Sequence, residues 1–149
     1  MNPDLLQTVV DTLQKYPIPA DMLCFEVQEQ AVTEHPAEVA KFFDGMKAIG
    51  CRLAIDRFVG RNMSDLELMR TLPVNFVKLD AMGFRRIHKD ELEKTVVESV
   101  LRVAHTLQKR VMIANLDEQE LVDAWKKLGS DYVQGFVISK PTPMIFKPG

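Results

Sequence analysis

Apolar residues recur along this chain at two spacings, and the two alternate. Over 3–16 (PDLLQTVVDTLQKY) they fall at Leu5, Leu6, Val9, Val10 and Leu13, a stripe on one side of a helix. Asn2 is placed to cap that helix, with Pro3 in its first turn. Pro17 and Pro19 break the chain before LCFEV (23–27), a run of strand length. A second helix is predicted from near Pro36 to a terminal Gly50, followed by the strand CRLAID (51–56). Ser64 with Glu67 three residues on is a capping-box pattern for a helix over 64–72, which Pro73 stops before the strand NFVKLD (75–80). The spacing then predicts an amphipathic helix over 92–109, a strand RVMIAN (110–115) and a helix over 118–129 ending in glycine. A last strand, YVQGFVI (132–138), is closed by Pro141 and Pro143.

Short apolar strands alternating with helices predict an α/β fold with a parallel sheet and right-handed crossovers. Two architectures accommodate five such βα units: an open doubly wound sheet, or part of a (β/α)₈ barrel. A complete barrel takes about 250 residues. With 149 residues, the barrel reading makes 1–149 a single-domain fragment of one.

Composition narrows the partners more than the fold. Apolar residues make up 46% and charged residues 27% of the chain, ordinary proportions for a soluble globular protein. A net charge of −2 gives no electrostatic footprint for DNA. No apolar run approaches the ~20 residues that span a bilayer, and MNPDLLQ lacks the features of a signal peptide. Cys24 and Cys51 sit in apolar segments without metal-ligand spacing. They read as two buried, reduced thiols of a cytoplasmic protein.

Ligands of parallel α/β folds bind beyond the carboxyl ends of the strands, so polar side chains there carry the functional signal. They are Glu26, Asp56, Lys78 with Asp80, Asn115 and Gln134, with at least one in every predicted strand. Singly, each has a plain structural role available. Glu26 can be a solvated strand-end acid, Asp56 a loop cap, Lys78 an ion-pair partner of Asp56 or Asp80, Asn115 a turn residue and Gln134 a hydrogen-bonding core residue. As a set they can form a site for Mg²⁺, Mn²⁺ or Ca²⁺, with a lysine to orient water or hold a phosphate. His35, His88 and His105 fall in helix or loop positions and read as surface residues.

The order of segments resembles the EAL domain family, bacterial phosphodiesterases that linearise cyclic di-GMP. LCFEVQE is similar to the family's L-E-I-T-E strand, AIDRF to A-L-D-D-F and LPVNFVKLD to L-P-V-D-x-L-K-I-D. VMIANLDE is similar to V-V-A-E-G-V-E, and LGSDYVQGFVISKPTP to the closing L-G-C-D-Y-x-Q-G-Y-x-x-S-x-P-x-P. The resemblance implies a (β/α)₈ barrel and, in active members, two metal ions that activate a water for attack on phosphorus. Carried over by position, Glu26 and Asp56 would be metal ligands, and Lys78 would hold the attacking water. Glu118 would support the loop after the aspartate pair, and Gln134 would lie near the centre.

Three parts of that apparatus are changed. The second aspartate of A-L-D-D-F is Arg57, and the first glutamate of A-E-G-V-E is Asn115. The loop G-T-G-Y-S-S is here Val59-Gly60-Arg61-Asn62-Met63-Ser64. A guanidinium in place of a carboxylate repels a cation; at ~4 Å and an effective dielectric near 20, like charges cost about 4 kcal/mol. The E-A-L motif and the N-L-S strand are absent from these residues, which makes the chain the C-terminal portion of a degenerate barrel. The expected role is a catalytically inactive receptor in bacterial signal transduction, with Arg57 and Arg61 facing phosphates in place of Mg²⁺ or Mn²⁺. Active hydrolysis is one alternative. The other is a protein-interaction module that pairs through the helix at 92–109, with a second copy, with other domains of the parent protein or with a signalling partner.

Overall fold

The computed structural model describes residues 4–60 and 62–134; Asn2, Pro3, Arg61, residues 135–138, Pro141 and Pro143 lie outside the described residues. Five strands form one sheet in chain order, every neighbouring pair parallel: β1 (Cys24–Gln28), β2 (Arg52–Asp56), β3 (Phe76–Asp80), β4 (Arg110–Ala114) and β5 (Tyr132–Val133). Helix α1 (Asp4–Lys15) precedes the sheet; α2 (Glu29–Glu34) and α3 (Pro36–Ile49) join β1 to β2. The remaining crossovers are α4 (Met63–Thr71), α5 (Glu91–Thr106) and α6 (Gln119–Leu128). The expected α/β arrangement of five parallel βα units is what the chain adopts.

A strand exposes its side chains alternately to two sides, and here the two sides have different fates. Val27, Leu53, Ile55, Val77, Leu79, Val111 and Ile113 point toward the helices and are buried. They pack with Phe43 and Met46 of α3, Met69 of α4, Val97 and Leu101 of α5, and Trp125 of α6 in one core. The intervening residues face the concave side of the sheet.

That alternation corrects one expectation. Cys51 is buried, but Cys24 is exposed, because its even position puts it on the concave face with Glu26. Partial burial of the sulfur, then the Glu26 carboxylate, push the Cys24 thiol above its ordinary pKa. Helix boundaries shift as well. α4 is capped by Asn62, whose side chain accepts from the Asp65 N–H at 3.0 Å, so the helix starts ahead of Ser64. α5 is capped by Asp90, which accepts from Leu92 N and Glu93 N, and it ends at Thr106 rather than 109. Helix α2 was not legible, since six residues are too few to establish a period.

Side-chain bonds tie the amino ends of the strands. The Asn75 Oδ1 accepts from Leu53 N at 2.9 Å, joining β2 to the approach of β3. The Asp131 Oδ2 accepts from Val111 N at 2.7 Å and lies 2.8 Å from His105 Nε2, joining β4, α5 and the approach to β5. His105 is exposed, as expected, but not idle.

Burial raises the Asp131 pKa, yet the Val111 N–H, His105 and Arg110 outweigh it, leaving the carboxyl below its usual value. A depressed folded pKa stabilises the fold above the unfolded value of about 3.9 and is lost as pH falls through the folded one. Asp131→Asn therefore lowers stability near neutral pH, and the gap from wild type narrows below about pH 4. Urea unfolding between pH 2.5 and 7 reads this directly; a gap that is constant with pH contradicts it.

Candidate functional site

Strand parity delivers the site. Glu26, Asp56, Lys78 and Asp80 all occupy even positions and share the concave face toward the carboxyl ends of β1, β2 and β3. Two of them meet. The Lys78 Nζ donates to both Glu26 oxygens, at 2.9 and 3.0 Å, across the intervening β2. Lys78 is nearly enclosed, its side chain 12% exposed, whereas Glu26 remains 39% exposed. The sequence offered Asp56 or Asp80 as the partner. Both are instead occupied by local backbone: Asp56 Oδ1 accepts from Arg57 N at 2.9 Å, and Asp80 Oδ1 from Met82 N at 2.9 Å.

Arg57 and Asn115 each follow directly on a strand and take left-handed backbone, with φ of 53° and 57°. Asparagine tolerates that region; arginine does so at a cost. The next residue explains what holds Arg57 there. The buried Phe58 donates its N–H to the Lys78 carbonyl at 2.9 Å, pinning the loop to β3. Farther along, Gly60 has a φ of 69°, and a β-carbon there would lie 2.7 Å from Val100 of α5. This loop therefore cannot relax away from the strand ends.

Gln134 extends the β4–β5 pairing through its backbone, donating to Ile113 O at 2.7 Å and accepting from Leu116 N at 2.9 Å. Its side chain is exposed rather than a core hydrogen-bonder. Glu118 occupies the cap position of α6 without a side-chain bond to the helix. It lines a small hollow with Asn115, Asp117, Met82 and Arg85. Arg85 was not singled out by the sequence; its only signal was a pair of arginines in the loop after β3. Glu29 was missed too. This acid, the last of LCFEVQE, is 3% exposed in the first turn of α2.

Below the Lys78–Glu26 pair, the concave face holds a hollow of about 240 Å³, lined among others by Cys24, Arg52, Ala54, Phe76 and Met112. Among the described residues no three His, Cys, Asp or Glu side chains converge as a metal set. Glu26, the carboxylate best placed to contribute, already holds an ammonium in both oxygens. No helix among the described residues is long and apolar enough to cross a membrane.

Arg57→Gly should raise stability by about 0.5–1 kcal/mol by relieving the left-handed backbone. Denaturant midpoints measure it. Unchanged or reduced stability would mean that the guanidinium makes contacts worth more than the strain.

Comparison with known proteins places this geometry. The model of the EAL domain family matches residues 1–141. The cyclic di-GMP phosphodiesterase PdeA of Borreliella burgdorferi is 30% identical over 134 residues, covering 90% of this chain and 20% of that protein. PdeF of Escherichia coli, also a cyclic di-GMP phosphodiesterase, is 29% identical over 137 residues, 92% of this chain and 18% of its own length. The chain thus spans about a fifth of the curated relatives it matches. Among solved structures, the Xanthomonas citri FimX EAL domain in complex with c-diGMP superposes with a TM-score of 0.89 at 20% identity, covering 99% of this chain and 58% of that one. Klebsiella pneumoniae BlrP1, in a calcium and cyclic di-GMP complex, gives 0.84 at 28% identity over 94% of this chain and 35% of that one. On the extent of that family match and the order of the strands, this chain belongs to the EAL domain family.

Proposed function

We propose that this chain is the carboxyl-terminal part of a catalytically inactive EAL barrel that serves as a cyclic di-GMP receptor in bacterial signalling. The observation that carries the reading is the Lys78–Glu26 pair. The carboxylate whose family counterpart is a metal ligand is occupied by a fixed cation of the chain itself. Arg57 stands where the family has a carboxylate, and Asn115 where it has a glutamate. A phosphodiester needs its negative charge met, and ammonium and guanidinium groups meet it with charge-assisted hydrogen bonds. Lys78, Arg57 and Arg61 are the groups available for that. Removal of acids and gain of cations favour binding over the activation of water, which needs a metal to lower its pKa.

A cytoplasmic setting accompanies this reading, and the free thiols of Cys24 and Cys51 agree with it. A second reading, protein docking without nucleotide, draws on the groove between α4 and α5. This groove, of about 290 Å³, is lined by Met63, Leu66, Arg70, Arg102, Val103 and Leu107, with Met63 75% exposed. A second copy or a signalling protein would occupy it.

Calorimetric titration of cyclic di-GMP into the full-length protein, with and without Mg²⁺, separates these readings when the ligand is afterwards checked for cleavage. Metal-independent binding of intact ligand is expected, weakened about 10- to 100-fold by Arg57→Ala or Lys78→Ala. Linear product overturns the inactive reading, and absence of binding moves the role to protein docking. Arg57→Asp combined with Asn115→Glu should restore metal-dependent cleavage where the loss is confined to these two positions. An inert double variant places the defect also in the 59–64 loop.

A further inference from the structure

Two arginines stand side by side in the turn after β3, and the nearby acids serve only one of them. The Arg86 backbone N–H donates to Glu93 Oε2 at 2.9 Å, and its guanidinium reaches Glu93 Oε1 at 3.3 Å and Asp90 Oδ2 at 3.2 Å. That bonding ties the turn to the start of α5 and so fixes the backbone from which Arg85 projects. Arg85 makes no ion pair among the described residues. Its Nη2 donates instead to Met82 Sδ at 3.4 Å, and a thioether is a weak acceptor that an oxygen or ring nitrogen readily replaces.

Arg85 shares a hollow at the carboxyl ends of β3 and β4 with Met82, Asn115 and Glu118. This is the end of the sheet that carries the Lys78–Glu26 pair. Glu118 makes no side-chain bond to α6 and, among the described residues, no ion pair. Opposite charges therefore line one hollow without neutralising each other. Met82, 50% exposed, puts an apolar surface beside the guanidinium.

Those are the three contacts that a guanine takes. Its O6 and N7 are acceptors that a guanidinium meets with two hydrogen bonds, and its N1–H and N2 amino group are donors to a carboxylate. Its ring face is apolar. Adenine has an amino group in place of O6 and a lone pair at N1, which would set donor against guanidinium and lone pair against carboxylate. We propose that Arg85 and Glu118 select guanine in the bound dinucleotide, Arg85 at O6 and N7 and Glu118 at N1–H and the N2 amino group. The proposal rests on the receptor reading and deepens it, adding base recognition to the phosphate contacts of Lys78 and Arg57.

Calorimetric titration of the full-length protein with cyclic di-GMP, and with its inosine analogue that lacks the N2 amino group, tests the assignment. Both side chains are exposed, so their removal leaves the fold in place. Arg85→Met is expected to weaken cyclic di-GMP binding about 5- to 50-fold, and Arg85→Lys to recover little of it, because an ammonium lacks the planar fork. Glu118→Ala should weaken cyclic di-GMP more than the inosine analogue, narrowing the difference between them. Unchanged affinity in either variant, while the wild type binds, overturns this proposal and leaves the receptor reading standing. Full recovery by Arg85→Lys overturns it in favour of a phosphate contact. No binding by the wild type overturns the receptor reading, and this one with it.

Discussion

Everything distinctive about this chain follows from a sheet that is greasy on one side and chemical on the other. Parallel strands buried beneath helices commit every second residue to the helix interface. The odd positions Leu53, Ile55, Val77, Leu79, Val111 and Ile113 accept that commitment and are removed from water. The even positions are thereby released from core packing and fixed in direction at the same time. Glu26 and Lys78 can meet across a strand because both are directed to the same face of the sheet.

The ion pair they form is only partly enclosed, which matters for its chemistry. Glu26 keeps access to solvent while Lys78 is largely covered, so the lysine is held by the carboxylate and not the reverse. A ligand bearing phosphate could draw on the ammonium by displacing a carboxylate that water is ready to solvate. A divalent cation at Glu26 would have to displace that ammonium.

The loop carrying Arg57 is held by backbone rather than by charge. Phe58 is buried and bonded to the Lys78 carbonyl, and Gly60 leaves no room for a side chain against Val100. These constraints maintain the left-handed residue at 57 whatever its side chain. A substitution from carboxylate to guanidinium can thus alter the electrostatics of the site while leaving its shape intact.

The strands, their order and the polar set at their ends were readable in the sequence, because apolar runs bounded by Pro and Gly and the motifs at 23–29, 54–58, 72–80 and 111–118 are local properties. Helix caps were read less well: Ser64 yielded to Asn62, since competing oxygens near a helix start are ranked by loop geometry that only the folded chain supplies. The burial of Glu29 and the exposure of Cys24 were likewise invisible, for a side chain's surroundings depend on elements distant in sequence. Pairing of Lys78 with Glu26, 52 residues away, was decided by register across three strands. Sequence determined which groups are present and which side of a strand each takes; tertiary structure alone decided which of them touch, because contact between strands is set by register and twist rather than by spacing along the chain.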